Sequence, residues 1–346
     1  TVVTARALVA KLGSSGVDLS AIEDTFLFVE DVLAAVKPAE KIRAALTSRI
    51  SWASLEQATP PETAVVLFTS GSESLPKAVP LTHRNLLTNI ADILKMGQLE
   101  ERDITVGFLP PFHSFGLTTT VLLSWCLGLR TVFHPNPTES ALLARVIDTH
   151  KATVLFGTPT FLGGIVRVAS DPQLSTLRLA VIGAEKCPDS LFATLAERWP
   201  PLIVLEGYGI TECSPVVAVN PMDEPVPGTI GKLMPSVEGA IVDLELTRRV
   251  APDETGMLLV RGPSIFGGYL NYAGDSPFVP FEDRSWYRTG DLVAAAEDGR
   301  LTFMGRLKRF IKLGGEMVSL PAIEAVLQRH FGDADDGPLI AVEAVG

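Results

Sequence analysis

The sequence predicts an α/β fold with a largely parallel sheet, followed by a smaller unit rich in β-strands. Short apolar runs such as Arg130 to Phe133 and Leu179 to Ile182 alternate with helical spacing such as that of Glu139 to His150, the rhythm of βαβ units. After about Gly228 the chain changes to short strands interrupted by Gly and Pro, for example Gly256 to Arg261, which is typical of a small β-barrel. The 346 residues, 47% of them hydrophobic, suffice for two or three domains.

The elements follow one another in a regular order. The run Phe26 to Val29 predicts a strand and Pro38 to Arg49 a helix. Ala64 to Phe68 predicts a strand that leads through a Ser- and Gly-containing loop directly into a helix over Thr82 to Met96. Further strands are predicted at Thr105 to Leu109, Arg130 to Phe133, Ala152 to Phe156, Leu179 to Ile182, Gly239 to Leu246, Gly256 to Arg261 and Leu301 to Met304, with a last helix at Pro321 to Arg329.

Charge and cysteine content exclude several kinds of function. The net charge of −11 argues against a basic surface that would bind the phosphates of a nucleic acid, so we expect no nucleic-acid partner. Cys126, Cys187 and Cys213 are far apart, which indicates neither a disulfide framework nor a zinc site and favours the cytoplasm. A position at the inner face of the membrane is an alternative that the sequence leaves open.

The longest uncharged stretch does not predict a membrane span. Its uninterrupted part, Phe115 to Leu129, is shorter than the roughly 20 residues that a spanning helix needs, and we interpret it as a buried helix. The chain begins at Thr1 without a leader and ends at Gly346 directly after an apolar run. We therefore expect a fragment of a longer protein.

A hydroxyl-rich loop follows the strand predicted at Ala64 to Phe68. It consists of Thr69, Ser70, Gly71, Ser72, Glu73, Ser74, Leu75, Pro76 and Lys77. Backbone N–H groups, hydroxyls and a lysine in this arrangement could bind phosphates, although a Ser/Gly turn alone is more often a plain loop. It is not a Walker A loop, because Pro76 replaces the glycine before the lysine and Ala78 offers no hydroxyl to Mg²⁺.

Three further elements carry groups suited to a nucleotide. The run Tyr208, Gly209, Ile210, Thr211 and Glu212 follows an apolar strand, at the position where open α/β sheets bind ligands. Asp291 lies in a tight turn, and Arg306 and Lys312 add cations further on. Each acid alone also has a purely structural explanation. Glu212 could favour the start of a helix, and Asp291 could hydrogen-bond its own backbone in a turn. Four such elements in order favour a site.

With these elements in this order, the sequence resembles the adenylate-forming superfamily of acyl-CoA synthetases, luciferases and nonribosomal-peptide adenylation domains. The resemblance runs from about Thr63 to Glu324. Two segments, Gly71 to Glu73 and Lys308 to Ser319, resemble the AMP-forming acyl-acyl carrier protein synthetases, a group that includes the synthetase part of a bifunctional acyltransferase.

The resemblance implies how the chain is divided. Residues 1–304 would be an N-terminal adenylation domain, truncated at its start and built from two α/β subdomains and a distorted β-barrel. Residues 305–346 would be the hinge and the beginning of an α+β C-terminal lid. The lysine that catalyses adenylation in the family would lie beyond Gly346, so we expect the fragment to be poorly active. A fused acyltransferase or membrane domain upstream stays open.

The resemblance also implies a reaction and a role for each matched residue. A carboxylate would attack the α-phosphate of Mg·ATP to give acyl-AMP and pyrophosphate, and a phosphopantetheine thiol would then take the acyl group. The loop Thr69 to Lys77 would hold the β- and γ-phosphates, with Ser74, where the family usually has Gly, putting the mobility of the loop in doubt. Thr211 would hydrogen-bond the α-phosphate and Glu212 would bind Mg²⁺.

The nucleoside would be held by the remaining matched residues. Tyr208, next to Gly209, would stack on adenine. Asp291 would accept hydrogen bonds from the ribose, helped by Arg306. The segment flanking the adenine would be Gly183, Ala184 and Glu185, and Lys312 would also face the nucleotide.

The acyl substrate is predicted from a missing charge. A binder of amino acids needs a buried carboxylate to pair the ammonium, and Pro110 to Gly116 contains no Asp, which favours a fatty acid. His113 matches the family position near the acyl carboxylate, although a histidine beside aromatic residues is often only packed. An apolar channel is predicted from Phe156, Pro159, Phe161, Leu162, Ile182 and Gly231 to Met234.

The thiol acceptor is predicted to be an acyl carrier protein. Carrier proteins are acidic, and Lys308 and Arg309 would help to recruit one, unless they belong to a solvated hinge. Two alternatives stay open: an acyl-CoA synthetase that uses CoA, and a non-catalytic member that only binds an acyl adenylate.

Overall fold

A computed structural model describes residues 2–14, 16–69, 76–313, 316–320, 323–324, 326–327 and 340–343. The chain forms two compact units, Thr1–Pro61 and Glu62–Gly346. Every residue predicted to take part in the site belongs to the second unit. Among the predicted site residues, Ser70, Gly71, Ser72, Glu73 and Ser74 lie outside the described residues.

The first unit is a small α/β arrangement. It contains β1 (Val2–Thr4), α1 (Arg6–Ser14), β2 (Phe26–Phe28), α2 (Val29–Ala35), α3 (Pro38–Ile50) and α4 (Ala53–Glu56). β1 and β2 pair in parallel, and an ion pair of 2.7 Å between Arg6 and Asp31 joins α1 to α2. α3 begins at Pro38, because proline is well tolerated in the first turn, where its missing N–H would have no helical partner. The predicted strand and helix are confirmed here.

The second unit begins with a hairpin and a layered α/β sheet. Its first elements are β3 (Thr63–Thr69), β4 (Lys77–Thr82), α5 (His83–Gly97), β5 (Ile104–Gly107), α6 (Ser114–Gly116), α7 (Leu123–Leu127), β6 (Arg130–Phe133), α8 (Ser140–His150), β7 (Val154–Gly157), α9 (Pro159–Val168), α10 (Asp171–Leu174), β8 (Leu179–Ile182), α11 (Asp189–Arg198), β9 (Ile203–Gly209), β10 (Val216–Val219) and β11 (Lys232–Leu233). Seven strands form one sheet in the order β11-β10-β9-β8-β7-β5-β6. The strands β9, β8, β7, β5 and β6 are parallel to one another, whereas β10 pairs antiparallel with both β9 and β11.

A second, antiparallel sheet follows in the chain. Its strands are β12 (Glu238–Val242), β13 (Gly256–Arg261), β14 (Phe278–Phe281), β15 (Arg284–Ala295) and β16 (Leu301–Arg306), after which β17 (Phe310–Leu313) pairs with β18 (Glu316–Ser319). Along β13, Leu258 and Val260 pack into the core of the α/β sheet, whereas Met257 and Leu259 pack into a separate core around Trp286. Because side chains alternate along a strand, β13 joins the two cores.

Most predicted elements are confirmed, and one connection is wrong. The loop after β3 does not lead directly into a helix; it leads into β4, which pairs antiparallel with β3 and places Lys77 opposite Thr69. Pro80 hides this strand in the sequence, yet Val79 and Leu81 beside it are fully buried, as expected for one face of a strand. The predicted helix Pro321 to Arg329 is described as helical only at 323–324 and 326–327.

The uncharged stretch after His113 is helical, as predicted. It consists of α6, a π-helical turn over Leu117–Leu122 and α7, and its first half is largely buried. Within the described residues, no helix is both long and apolar enough to cross a membrane.

Candidate active site

Three parallel strands bring predicted site residues to one edge of the sheet. β7 ends at Gly157, β8 ends just before Gly183, and β9 ends with Tyr208 and Gly209. Since these strands run in the same direction, their carboxyl ends meet at the same edge. This edge forms the floor of the candidate site.

Backbone segments approach each other closely along that floor. A Cβ on Gly209 would lie 2.5 Å from the carbonyl oxygen of Pro215, and one on Gly183 would lie 3.0 Å from that of Gly207. Ala184 adopts φ of 69°, a left-handed conformation that is uncommon for a non-glycine residue. The side chain of Glu185 turns aside and accepts hydrogen bonds from the N–H and the hydroxyl of Thr160.

Thr211 and Glu212 lie in a single helical turn directly after β9. The hydroxyls of Thr211 and Ser114 lie 3.2 Å apart, which links this turn to α6. Glu212 is only 8% exposed, and its Oε1 accepts a hydrogen bond of 2.7 Å from the hydroxyl of Tyr269. The N–H of Phe266 donates to the backbone carbonyl of Glu212. The turn therefore presents a threonine hydroxyl and a held carboxylate side by side.

Asp291 is the most deeply buried acid of the site. It is 1% exposed, and its Oδ2 accepts a hydrogen bond of 2.5 Å from the hydroxyl of Tyr208. Desolvation raises the pKa of Asp291, opposed by that hydrogen bond and by the Arg306 guanidinium, whose Nε lies 3.3 Å from Oδ1. Oδ1 is buried yet accepts no hydrogen bond within the described residues. An acceptor is thus ready for a hydroxyl-bearing ligand beside an aromatic ring.

Lys77 stands between two tyrosine rings at the exit of the predicted phosphate loop. Its Nζ lies 4.8 Å from the ring centroid of Tyr269 and 4.5 Å from that of Tyr272, both within cation–π range. Thr69, at the other end of the loop, is its partner across the β3–β4 hairpin. Both ends of the loop are thereby held at the side of Glu212.

For two predicted site residues, the structure describes no side-chain hydrogen bond within the site. His113 is exposed beside Phe112 and precedes α6 without a side-chain hydrogen bond to the helix. Lys312 lies on β17, and its side chain falls outside the described part of the structure. Arg309, predicted to recruit a carrier protein, donates to Glu324 at 2.5 Å.

Sequence reasoning missed the residues that hold the site together. Asn89 on α5 is fully buried; its amide donates to the carbonyl of Val216 and accepts from the N–H of the same residue. One turn earlier, Asn85 donates to the carbonyls of Pro263 and Ile265. The helical period places Asn85 and Asn89 on the apolar face of α5, and polar amides at such positions indicate buried hydrogen bonds.

Glu206, two residues before Tyr208, is a second missed residue. Its buried carboxylate accepts the N–H of Gly228 at 2.6 Å and that of Cys187 at 3.4 Å. Burial raises the pKa of Glu206, opposed by these two hydrogen bonds. Burial also raises the pKa of the Cys187 thiol to about 12. The carboxylate ties the Gly183–Cys187 segment to β9.

An apolar cavity of about 40 Å³ adjoins the site. Its wall includes Phe115 and Thr119 from the helix that contacts Thr211, Val216 from β10, and Val181 from β8, and it carries no ionisable side chain. Of the predicted channel residues, Phe156 and Met234 line this cavity. Pro159, Phe161, Leu162 and Ile182 do not line this cavity, and their place in an acyl channel stays a prediction.

The residues present suit a nucleotide and a divalent cation that arrives with it. Oδ1 of Asp291 has the Arg306 guanidinium 3.3 Å away and accepts no hydrogen bond within the described residues, so it can take one from a ligand hydroxyl. Within the described residues, no group of three or more His, Cys, Asp or Glu could hold a metal by itself. Mg²⁺ commonly binds one or two carboxylates together with phosphate oxygens, so Glu212 fits that chemistry.

A comparison with protein families decides the family of the chain. The model described as AMP-binding enzyme matches residues 5–270. The chain belongs to the AMP-binding enzyme family. This agrees with the resemblance to adenylate-forming enzymes, whereas the acyl carrier protein subgroup is not specifically matched.

Curated relatives have related names. A long-chain-fatty-acid–CoA ligase from Salmonella typhimurium is 34% identical over 278 residues, which are 78% of this chain and 48% of the relative. A 4-coumarate–CoA ligase-like protein from Arabidopsis thaliana is 30% identical over 284 residues, covering 79% of this chain and 49% of the relative. The chain thus spans about half the length of the curated relatives it matches.

Solved structures share the fold. ATP-bound MatB from Rhodopseudomonas palustris is 27% identical with a TM-score of 0.70, covering 78% of this chain and 53% of that chain. O-succinylbenzoate coenzyme A synthetase from Bacillus subtilis, in complex with AMP, has a TM-score of 0.71 at 23% identity, covering 91% of this chain and 66% of that chain. The observed α/β architecture is therefore that of adenylate-forming enzymes.

Proposed function

We propose that the protein containing this chain is an AMP-forming ligase that activates a fatty acid with ATP and transfers the acyl group to CoA. The observation that carries the proposal is the match to AMP-binding enzymes over residues 5–270, together with relatives named long-chain-fatty-acid–CoA ligase. The small apolar cavity beside the helix of Ser114 carries no ionisable side chain, so an amino-acid ammonium would find no carboxylate in its wall.

The nucleotide would lie along the edge of the sheet. Tyr208, next to Gly209, and the segment Gly183, Ala184 and Glu185 would flank the adenine. Oδ1 of Asp291, which accepts no hydrogen bond within the described residues, would accept one from a ribose hydroxyl, with Arg306 partly balancing the charge.

The phosphates would lie between the Thr211 turn and the loop that ends at Lys77. Thr211 would donate to the α-phosphate, and the loop residues from Thr69 to Lys77 would hold the β- and γ-phosphates. Mg²⁺, held by Glu212 and phosphate oxygens, would neutralise the charge of the pyrophosphate leaving group. Lys312 would approach the same phosphates from the hinge side.

The reaction would proceed in two displacements. A carboxylate oxygen of the fatty acid, near His113, bonds to the α-phosphorus while the bond to the β-phosphate oxygen breaks and pyrophosphate leaves. The sulfur of the thiol then bonds to the acyl carbon, the thiol proton is lost, and AMP leaves. Charge neutralisation and in-line positioning at phosphorus supply most of the rate in such transfers.

The acceptor thiol is tested by direct competition. Two observations support CoA over an acyl carrier protein. The relatives described above are named as CoA ligases or as CoA ligase-like, and Arg309, a proposed docking cation, donates to Glu324. The full-length protein, given ATP, Mg²⁺ and a fatty acid, should form thioester with CoA and little with an acyl carrier protein. Thioester on the carrier protein alone would support the carrier-protein ligase instead.

A further inference from the structure

Tyr269 lies between a cation and an anion that do not touch each other. Its hydroxyl donates to Oε1 of Glu212 at 2.7 Å, and its ring centroid lies 4.8 Å from Nζ of Lys77. Within the described part of the chain, Lys77 forms no ion pair with a carboxylate and instead faces two tyrosine rings. The ring of Tyr269 therefore contacts the ammonium of Lys77, and its hydroxyl contacts the carboxylate of Glu212.

The backbone holds Tyr269 in this place from both sides. Three residues earlier, the N–H of Phe266 donates to the carbonyl of Glu212 at 2.8 Å. One residue later, the N–H of Leu270 donates to the carbonyl of Ala78, next to Lys77, at 2.9 Å. The segment is thus bonded to the Glu212 turn and to β4 at once, which fixes the backbone that carries the ring.

We propose that Tyr269, assisted by Tyr272, is a positioning residue that prevents an ion pair between Lys77 and Glu212. The ammonium thereby stays available for phosphate oxygens and the carboxylate for a divalent cation. This inference rests on the proposed function, because it concerns the same ATP and Mg²⁺ site. Without the ring, the flexible lysine stem could reach the buried carboxylate, where low local polarity strengthens the attraction of opposite charges.

The chemistry of the phenol suits this role. Burial and the neighbouring Glu212 carboxylate raise the pKa of Tyr269, so its hydroxyl keeps the proton that it donates. Donation to a carboxylate also makes the ring more electron-rich toward the cation above it. Phenylalanine would keep the ring and lose the hydrogen bond, whereas leucine would lose both.

The test measures ATP binding by the full-length protein, by calorimetry, with and without Mg²⁺. In the unmodified protein, Mg²⁺ should tighten ATP binding at least about tenfold, the scale of one charge-assisted contact. Tyr269→Leu should remove most of this Mg²⁺ effect, and Tyr269→Phe should retain most of it. Adding Lys77→Met to Tyr269→Leu should restore the effect, because the competing ammonium is gone.

Phe278→Leu is the matched control, because its ring packs on Phe266 in the same aromatic cluster without contacting Lys77. It should keep the Mg²⁺ effect. A full Mg²⁺ effect in Tyr269→Leu, or no restoration in the double variant, would overturn the inference while the proposed function stands. Failure of the unmodified protein to bind ATP at all would overturn the proposed function, and the inference with it.

Discussion

Asp291 combines a structural cost with a binding role. Its carboxylate is buried beside Tyr208, and one of its oxygens accepts no hydrogen bond within the described residues. Such a group costs stability in the free protein, since an ionised carboxylate out of water needs full compensation. The Arg306 guanidinium, 3.3 Å from that oxygen, offsets part of this cost, and we propose that a ribose hydroxyl supplies the hydrogen bond.

Asp291→Asn should therefore stabilise the free protein at neutral pH. It should also weaken AMP binding by at least about tenfold, because the ribose loses a hydrogen bond to a charged group. Because the folded state raises the pKa of this carboxyl above its usual 3.8, the folded state holds the proton more tightly than the unfolded one. The contribution of Asp291 to the free energy of unfolding should consequently fall as the pH rises above that value.

Urea unfolding at several pH values checks this. The advantage of Asp291→Asn should vanish near the usual pKa of aspartate and grow toward neutral pH. Asp298→Asn, an acid on an exposed turn in contact with Arg300 and Lys232, is the control and should leave AMP binding unchanged. A less stable Asp291→Asn variant at neutral pH would contradict the account.

The residues that act within one short segment were predictable from the sequence. Tyr208, Thr211, Glu212 and Asp291 each lie in a local pattern, and the structure places them around the end of β9. Tyr269 was not predicted, because its partners Lys77 and Glu212 are distant in sequence and meet only through the fold.

At the scale of elements, α5 connects the hairpin of the phosphate loop to the Glu212 turn. Asn89 satisfies both backbone groups of Val216, four residues after Glu212, in a fully buried place. Asn89→Leu should leave both groups unsatisfied and lower the free energy of unfolding by about 2–4 kcal/mol. Weaker ATP binding should accompany the loss, because the turn is no longer held.

Urea denaturation and calorimetry measure the two effects. Arg84→Ala, on the exposed face of the same helix, should change the free energy of unfolding by less than about 0.5 kcal/mol. An Asn89→Leu variant as stable as Arg84→Ala would show that α5 does not hold the turn.

The sequence predictions for two strands differ from the structure, each for its own reason. In β8, Val181 lines the cavity whereas Ile182, the predicted residue, faces the opposite side, since neighbours in a strand alternate. In a strand that is buried on both faces, the residues of both faces are apolar, so the sequence does not show which face borders a cavity. β4 was missed because Pro80 interrupts its pattern.

At the scale of the whole molecule, the second unit holds every described group of the candidate site. The parallel sheet supplies the floor, the antiparallel sheet supplies Asp291 and Arg306, and β13 joins the cores of both. The family and this architecture were predictable from motif order, because each motif follows a recognisable strand. The acceptor thiol was not, because the sequence shows the cations Lys308 and Arg309 but not that Arg309 donates to Glu324.

The central claim is that this site activates a fatty acid with ATP. ATP–pyrophosphate exchange by the full-length protein, with a panel of fatty acids and with amino acids for comparison, tests it most directly. The account predicts exchange that requires a fatty acid and Mg²⁺ and that amino acids do not support. Exchange driven by amino acids, or no exchange with any acid, would contradict it.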